Sequence, residues 1–252
     1  MTYALETRAL CKSFGGLRVT QSVDLRLEHG ARHALIGPNG AGKTTLINLL
    51  TGNVEASSGT VLLNGEDISA MPAHRRVRRG LSRTFQISQL FPHMTVLQAV
   101  ALAACQAEDS NWVTRAVMPL ANRLRAAERA FATLHELHLA SSAATLIGEL
   151  PYGRQRLVEI ALALATQPKV LLLDEPAAGI PEGESDEVIA TLSSLPKAVT
   201  VLLIEHDMDL VFRFANRISV LVGGALLTEG TPAEVAQDPR VREVYLGRRA
   251  AG

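Results

Sequence analysis

Apolar residues are distributed along this chain in two textures. Short runs rich in Val, Leu and Ile recur at Ala34–Ile36, Thr60–Leu63, Lys169–Leu173, Thr200–Ile204, Ile218–Val222 and Ala225–Leu227, most of them bounded by Gly, Pro or charged residues. Runs of that length and composition predict strands. Lys169–Leu173 and Thr200–Ile204 show no alternation, as expected of strands buried on both faces at the centre of a parallel sheet. From about Gln89 to Gln167 the texture changes to Ala and Leu. Leu120, Leu124, Ala127, Phe131 and Leu134 follow helical spacing there, so this stretch is expected to be a helical insertion. Pro119 is expected to break or start a helix, and Pro92 and Pro151 to mark turns. Ser57-Ser58-Gly59 and Gly223-Gly224 are expected to be hairpin turns. No internal repeat or low-complexity tract interrupts the pattern.

Chemistry enters after the first of these runs. Gly37-Pro38-Asn39-Gly40-Ala41-Gly42-Lys43-Thr44 fits the phosphate-loop pattern G-x-x-x-x-G-K-[ST]. Its glycines let consecutive backbone N–H groups face one anion. The apolar residues after Thr45 (Leu46, Ile47, Leu49, Leu50) predict a helix whose N-terminus adds its dipole. Lys43 would reach the β- and γ-phosphates of a nucleoside triphosphate, and Thr44 offers a hydroxyl to Mg²⁺. Pro38 and Asn39 suit a turn. The motif sets the ligand class and leaves the reaction open.

Val170-Leu171-Leu172-Leu173-Asp174-Glu175 ends a fully apolar strand in two carboxylates, which is costly unless they meet a cation. Beside a phosphate loop, Asp174 would hold Mg²⁺ through its water shell, and Glu175 would orient or deprotonate the attacking water. An ordinary acidic turn after a strand is the alternative, and the upstream loop disfavours it. Leu203-Ile204-Glu205-His206-Asp207 repeats the device. His206 would emerge beside the strand carrying Glu175, within reach of a γ-phosphate, although a histidine there is more often structural. Gln86, in Thr84-Phe85-Gln86, can bind a metal ion or water at the start of the helical insertion, with a solvated amide as the default. His74-Arg75-Arg76-Val77-Arg78-Arg79 reads as a solvated helix face in preference to an anion site.

Composition narrows the setting. The chain has 252 residues, enough for one α/β domain with an insertion, and 25 basic against 25 acidic residues. That balance argues against a nucleic-acid partner. Cys11 and Cys105 form no C-x-x-C, so neither a disulfide framework nor a zinc site is expected, and a reducing compartment is implied. The segment Met1–Arg8 lacks the apolar core of a signal peptide, and no apolar run approaches the ~20 residues of a membrane span.

Taken together, these stretches resemble the ATP-binding cassette (ABC) ATPases, and among them the ATP-binding subunits of uptake transporters of the branched-chain amino-acid type. The similarity runs through Arg83-Thr84-Phe85-Gln86, Leu90-Phe91-Pro92-His93-Met94-Thr95-Val96, Asp174-Glu175-Pro176-Ala177-Ala178-Gly179, Ile204-Glu205-His206-Asp207-Met208 and Glu229-Gly230-Thr231-Pro232. Its most specific element is Leu150-Pro151-Tyr152-Gly153-Arg154-Gln155-Arg156, in the place of the family signature L-S-G-G-Q. The resemblance implies an α/β fold: a RecA-like P-loop ATPase core with an antiparallel β-subdomain (about 1–86 and 163–252) and a helical subdomain (about 87–162). It implies ATP and Mg²⁺ as ligands, held by Gly37, Pro38, Asn39, Gly40, Ala41, Gly42, Lys43, Thr44 and Thr45, with Phe14 stacking on adenine. Thr44, Gln86 and Asp174 become the metal-side residues, Glu175 the catalytic base, and His206 the contact to the γ-phosphate.

Pro151, Tyr152, Gly153 and Arg154 would face ATP bound by a second ATPase subunit. Two departures stand out: Pro151 replaces the signature serine and Arg154 its glutamine. A third is Ala178-Gly179-Ile180-Pro181, where the family has S-A-L-D. Either the site to which this chain lends its signature is weak, or Pro151 fits a helix first turn and Arg154 supplies an equivalent phosphate contact. The implied partners are a second ATPase, a different chain by this reasoning, two membrane permease subunits and indirectly a solute-binding protein. The implied location is cytoplasmic, peripheral on the inner face of the cell membrane. A soluble ABC ATPase acting on DNA or ribosomes and a P-loop small-molecule kinase are the rival readings.

Overall fold

A computed structural model describes residues 2–84, 90–106, 120–180 and 182–246. Strands β1 (Leu5–Phe14), β2 (Leu17–Val23), β3 (Arg26–Leu27) and β4 (Arg32–Ile36) come first, followed by helix α1 (Lys43–Thr51). β5 (Ser58–Leu63), β6 (Glu66–Asp67), α2 (Ala73–Arg78) and β7 (Leu81–Arg83) complete the first part. Then come α3 (Val96–Gln106), α4 (Leu120–Glu136) and α5 (Tyr152–Ala165). The last third holds β8 (Val170–Asp174), α6 (Glu182–Ser194), β9 (Thr200–Ile204) and α7 (Met208–Phe214). It ends with β10 (Arg217–Val222), β11 (Ala225–Gly230), α8 (Pro232–Gln237) and α9 (Pro239–Leu246).

Two sheets organise these elements. The larger has strand order β11-β10-β4-β9-β8-β7, parallel throughout except for the β10–β11 hairpin. β8 and β9 lie inside it and are buried at every position, as their unbroken apolar runs predict. Successive side chains go to opposite faces. Leu35, Leu172, Leu202 and Ile204 pack with α1 and the N-terminal strands. Ala34, Leu171, Leu173, Val201 and Leu203 pack with α3 to α7. The second sheet, β2-β1-β5-β6 with β3 on β1, is antiparallel.

Two expectations need correction. Gly223-Gly224 is the β10–β11 turn, but Ser58-Gly59 belongs to β5, not to a hairpin. Gly59 takes φ +87°, and a Cβ there would collide with the Ala9 carbonyl, where the β1 register shifts. In α4 the helix is as expected, and the spacing alone marked no buried face. Ala126, Ala130 and Leu134 are buried, whereas Leu124 and Phe131 are exposed. Ala126, Ala130 and Leu134 pack in one core with Val100 of α3 and Leu157 of α5. The basic run of α2 is solvated except at Arg76, which is 3% exposed. Its guanidinium donates to the carbonyls of Leu49, Leu50, Ser69 and Met71, clamping the C-terminal end of α1. Pro119, Gln86 and Pro181 lie outside the described residues.

Candidate active site

The parallel strands β4, β8 and β9 end at one edge of the larger sheet, and each continues into residues that carry chemistry. β4 runs into the phosphate loop, Gly37 to Thr44. Gly37 is pressed against β10: a Cβ there would collide with the Leu221 carbonyl. Gly40 (φ +80°) and Gly42 (φ +101°) take left-handed backbone. A Cβ on Gly42 would sit 2.7 Å from the Val19 carbonyl of β2, so the N-terminal hairpin lies against the loop. The Gly224 N–H donates to the Ala41 carbonyl at 2.9 Å and supports the loop from its other side. Gly42 caps α1 with no side chain bonded to the first turn. The N–H groups there are therefore directed at an incoming anion.

Lys43 Nζ donates to the carbonyls of Gly37 (2.6 Å) and Pro38 (3.2 Å), closing the loop on itself. Burial lowers its pKa, and the carboxylates of Glu175 and Asp174 act in the opposite direction. Thr44 is exposed and Thr45 half-buried on the first turn of α1. Phe14, half exposed at the tip of the β1–β2 hairpin, has Lys12 Nζ 4.9 Å above its ring centroid, an open aromatic face able to take a base.

Asp174 ends β8 with 4% of its side chain exposed, and Arg83 Nη2 lies 2.7 Å from its Oδ2. Arg83 Nη1 also donates to Asn48 Oδ1 of α1 at 2.7 Å, so one guanidinium ties β7, β8 and α1 together. Glu175 turns out of the strand at φ +48°, a conformation that a non-glycine residue adopts only when its surroundings impose it. Here the Glu175 N–H is held by the Ile204 carbonyl at 2.9 Å. His206 follows β9, largely exposed, with Nδ1 3.8 Å from Glu175 Oε1 and 3.8 Å from Glu205 Oε2. Glu205 is buried and its pKa is raised by that burial, against hydrogen bonds from the backbone of Ala177, His206 and Asp207.

The signature segment opens α5. Pro151 is the N-cap, one position before the first turn in which it was expected, and its carbonyl accepts from Gln155 N–H at 3.0 Å. No helical bond is lost by proline there, because the N-cap N–H lies outside the helix. The Tyr152 hydroxyl accepts from Arg156 Nη2 at 2.7 Å, and its ring lies against Gly179, whose Cβ would be 3.6 Å from it. Arg154 is engaged within the chain, with Nε 3.6 Å from Glu187 Oε1 and Nη1 3.4 Å from Ser142 Oγ. Gly153 is buried in the first turn.

The structure thus gathers the phosphate loop, Asp174, Glu175 and His206 at one sheet edge. Sequence reasoning gave no role to Arg83, Asn48 or Glu205. Arg83 appeared in the sequence only as the first residue of the family-like stretch Arg83-Thr84-Phe85-Gln86, and Glu205 as a carboxylate overshadowed by the histidine beside it.

A sheet edge of this composition, preceded by a phosphate loop and followed by a helix opening on Pro151-Tyr152-Gly153, defines a nucleotide-hydrolysing cassette. Residues 20–178 match the family model described as ABC transporter, and the chain belongs to that family, whose cassettes hydrolyse ATP to power transport. Residues 225–251 match a second model, branched-chain amino acid ATP-binding cassette transporter. The chain is 40% identical over 248 residues to the high-affinity branched-chain amino acid transport ATP-binding protein BraF of Pseudomonas aeruginosa, covering 96% of this chain and 97% of that one. It is 39% identical over 249 residues to LivG of Escherichia coli, a protein of the same description, with the same coverage. A nucleotide-free ATP-binding cassette from an ABC transporter superposes with a TM-score of 0.84 at 32% identity, covering 97% of this chain and 99% of that one. The ADP conformation of such a cassette gives 0.84 at 32% identity, covering 98% and 100%. The kinase reading falls with this match. No helix among the described residues is long and apolar enough to cross a membrane.

Proposed function

We propose that the chain hydrolyses ATP to drive an importer of branched-chain amino acids or a related small solute. The observation that carries the site assignment is the convergence of Lys43, Asp174, Glu175 and His206 at the ends of β4, β8 and β9. ATP would lie along the phosphate loop with its adenine on Phe14, and Lys43 would exchange the Gly37 and Pro38 carbonyls for phosphate oxygens. The exposed Thr44 hydroxyl and the buried Asp174 carboxylate are a donor set of hard oxygens suited to Mg²⁺. When bound, Mg²⁺ supplies positive charge that neutralises the phosphates. Glu175 orients and deprotonates water for in-line attack, and His206 contacts the γ-phosphate. Gln86 would complete the metal side.

The chain would divide into a core at about 1–86 and 163–252 and a helical part at about 87–162, a boundary that α5 crosses. An apolar groove of about 670 Å³, lined by Val77, Leu81, Phe91, Leu102 and Leu162, suits a permease segment and supports a place on the inner face of the membrane. Two permease subunits, a second ATPase and a solute-binding protein would complete the assembly. Because Arg154 is already engaged by Glu187 and Ser142, the signature has less to offer a phosphate, which favours a different chain as the second ATPase.

Glu175→Gln tests both points. It should retain ATP, lose about 10²–10⁴ in hydrolysis rate, and alone form little ATP-dependent homodimer in size-exclusion chromatography. Near-normal turnover removes Glu175 from the role of base, and a tight homodimer removes the case for a different partner. Uptake by the reconstituted transporter from a panel of amino acids and aromatic acids identifies the solute.

A further inference from the structure

The residue before His206 is a carboxylate that should not be buried without reason. Glu205 is 1% exposed, and among the described residues no guanidinium or ammonium balances it in the way Arg83 balances Asp174. Its two oxygens are divided between two loops. Oε1 accepts the Ala177 N–H at 3.1 Å, and Oε2 accepts the His206 N–H at 3.1 Å. Ala177 lies two residues past Glu175, in a turn closed by the Ala178 N–H on the Glu175 carbonyl at 3.1 Å. Beyond the backbone bond from the Glu175 N–H to the Ile204 carbonyl, the buried Glu205 side chain therefore also joins the loop bearing Glu175 to the loop bearing His206. It acts just past the last β8–β9 pair, Asp174 with Ile204, and past the Glu175 N–H bond to the Ile204 carbonyl. A buried carboxylate accepting the backbone N–H groups of Ala177, His206 and Asp207 has little freedom, because losing a bond leaves a donor unsatisfied in a dry environment.

We propose that Glu205 is a positioning residue for ATP hydrolysis: by bridging the Ala177 and His206 N–H groups it sets the placement of His206 relative to Glu175. The inference rests on the roles given above to those two residues. His206 Nδ1 lies midway between them, 3.8 Å from each carboxylate, so a shift of either loop changes the His206–Glu175 distance directly. Displacements of about 1 Å at reacting groups cost on the order of a hundredfold in rate. The bridge involves no residue of the phosphate loop, so the contacts of that loop and of Lys43 to the nucleotide are kept.

The test compares ATP hydrolysis by the full-length chain, in the transporter it serves, across Glu205→Gln, Glu205→Asp, His206→Ala and the Glu205→Gln/His206→Ala double variant. Glutamine has the shape of Glu205 but one acceptor oxygen, so either the Ala177 or the His206 N–H, which bond to different oxygens, meets an amide NH₂. The expected result is a kcat lowered about ten- to a hundredfold with KM for ATP unchanged within about twofold. Glu205→Asp, one methylene short but still charged, should lose less and keeps the test open if the glutamine variant folds poorly. On the His206→Ala background, single-turnover hydrolysis should be insensitive to Glu205→Gln. Native kcat in both Glu205 variants, or an equal proportional loss with and without His206, overturns the proposal. Full activity of His206→Ala overturns it too, and marks the failure as belonging to the role of His206.

Discussion

Replacing Arg83 with Met would test whether the Arg83–Asp174 pair is what makes a buried carboxylate tolerable at the end of β8. Met keeps much of the apolar stem and removes the charge. Two interactions disappear, the 2.7 Å ion pair to Asp174 Oδ2 and the 2.7 Å bond to Asn48 Oδ1. Asp174 and Arg83 are 4% and 11% exposed, so water replaces little of what is removed. Removing one partner of a buried pair costs about 3–5 kcal/mol. For a domain of this size each kcal/mol lowers the melting temperature by about 2–4 °C. The nucleotide-free protein should therefore melt about 10 °C lower, within a span of about 6–20 °C. Mg·ATP should recover part of that fall, since it brings positive charge to the same carboxylate. Arg83→Met/Asp174→Asn should melt above Arg83→Met alone, because no uncompensated charge remains. Differential scanning calorimetry with and without Mg·ATP measures all three quantities. A fall below about 2 °C, or a double variant less stable than the single, would refute the argument.

Other perturbations probe separate parts of the molecule. Lys43→Ala should weaken ATP binding about ten- to a hundredfold for each hydrogen bond to phosphate that it removes, measured by calorimetry, and an unchanged affinity would exclude Lys43 from the phosphate site. His33 lies buried in β4 with Nε2 2.8 Å from Ser219 Oγ, and burial lowers its pKa from 6.5 to about 4, while Glu229 opposes the shift and Arg217 adds to it. The unfolded chain therefore takes up a proton that the folded chain refuses. The contribution is fully present above about pH 6.5 and is lost as the pH falls towards about 4, on the order of 3 kcal/mol in all. Thermal melts of native and His33→Gln protein between pH 4 and 7 should converge at the acid end, and parallel curves would exclude His33 as the cause.

The sequence by itself determined what depends on short stretches of chain. The phosphate loop needs only eight consecutive residues whose glycines and lysine act locally, so it was legible without a fold. The apolar runs Ala34–Ile36 of β4, Val170–Leu173 of β8 and Val201–Ile204 of β9 were legible because burial on both sheet faces leaves no alternating polar position within them. β1 and β2 were not legible one by one, since they form a half-exposed sheet with charged residues and a register shift at Ala9. Only the tertiary structure decided the buried face of α4, which carries Ala126, Ala130 and Leu134 and leaves Leu124 and Phe131 exposed. Arg83 to Asp174 and Glu205 to Ala177 were decided there too. Each joins residues far apart in the chain, 91 and 28 positions respectively, and a single charged residue in a sequence carries no mark of the partner that will meet it. Hydrophobic periodicity and motif spacing are properties of neighbours along the chain. Ion pairing and packing belong to neighbours in space, and the crossovers of the parallel sheet create those.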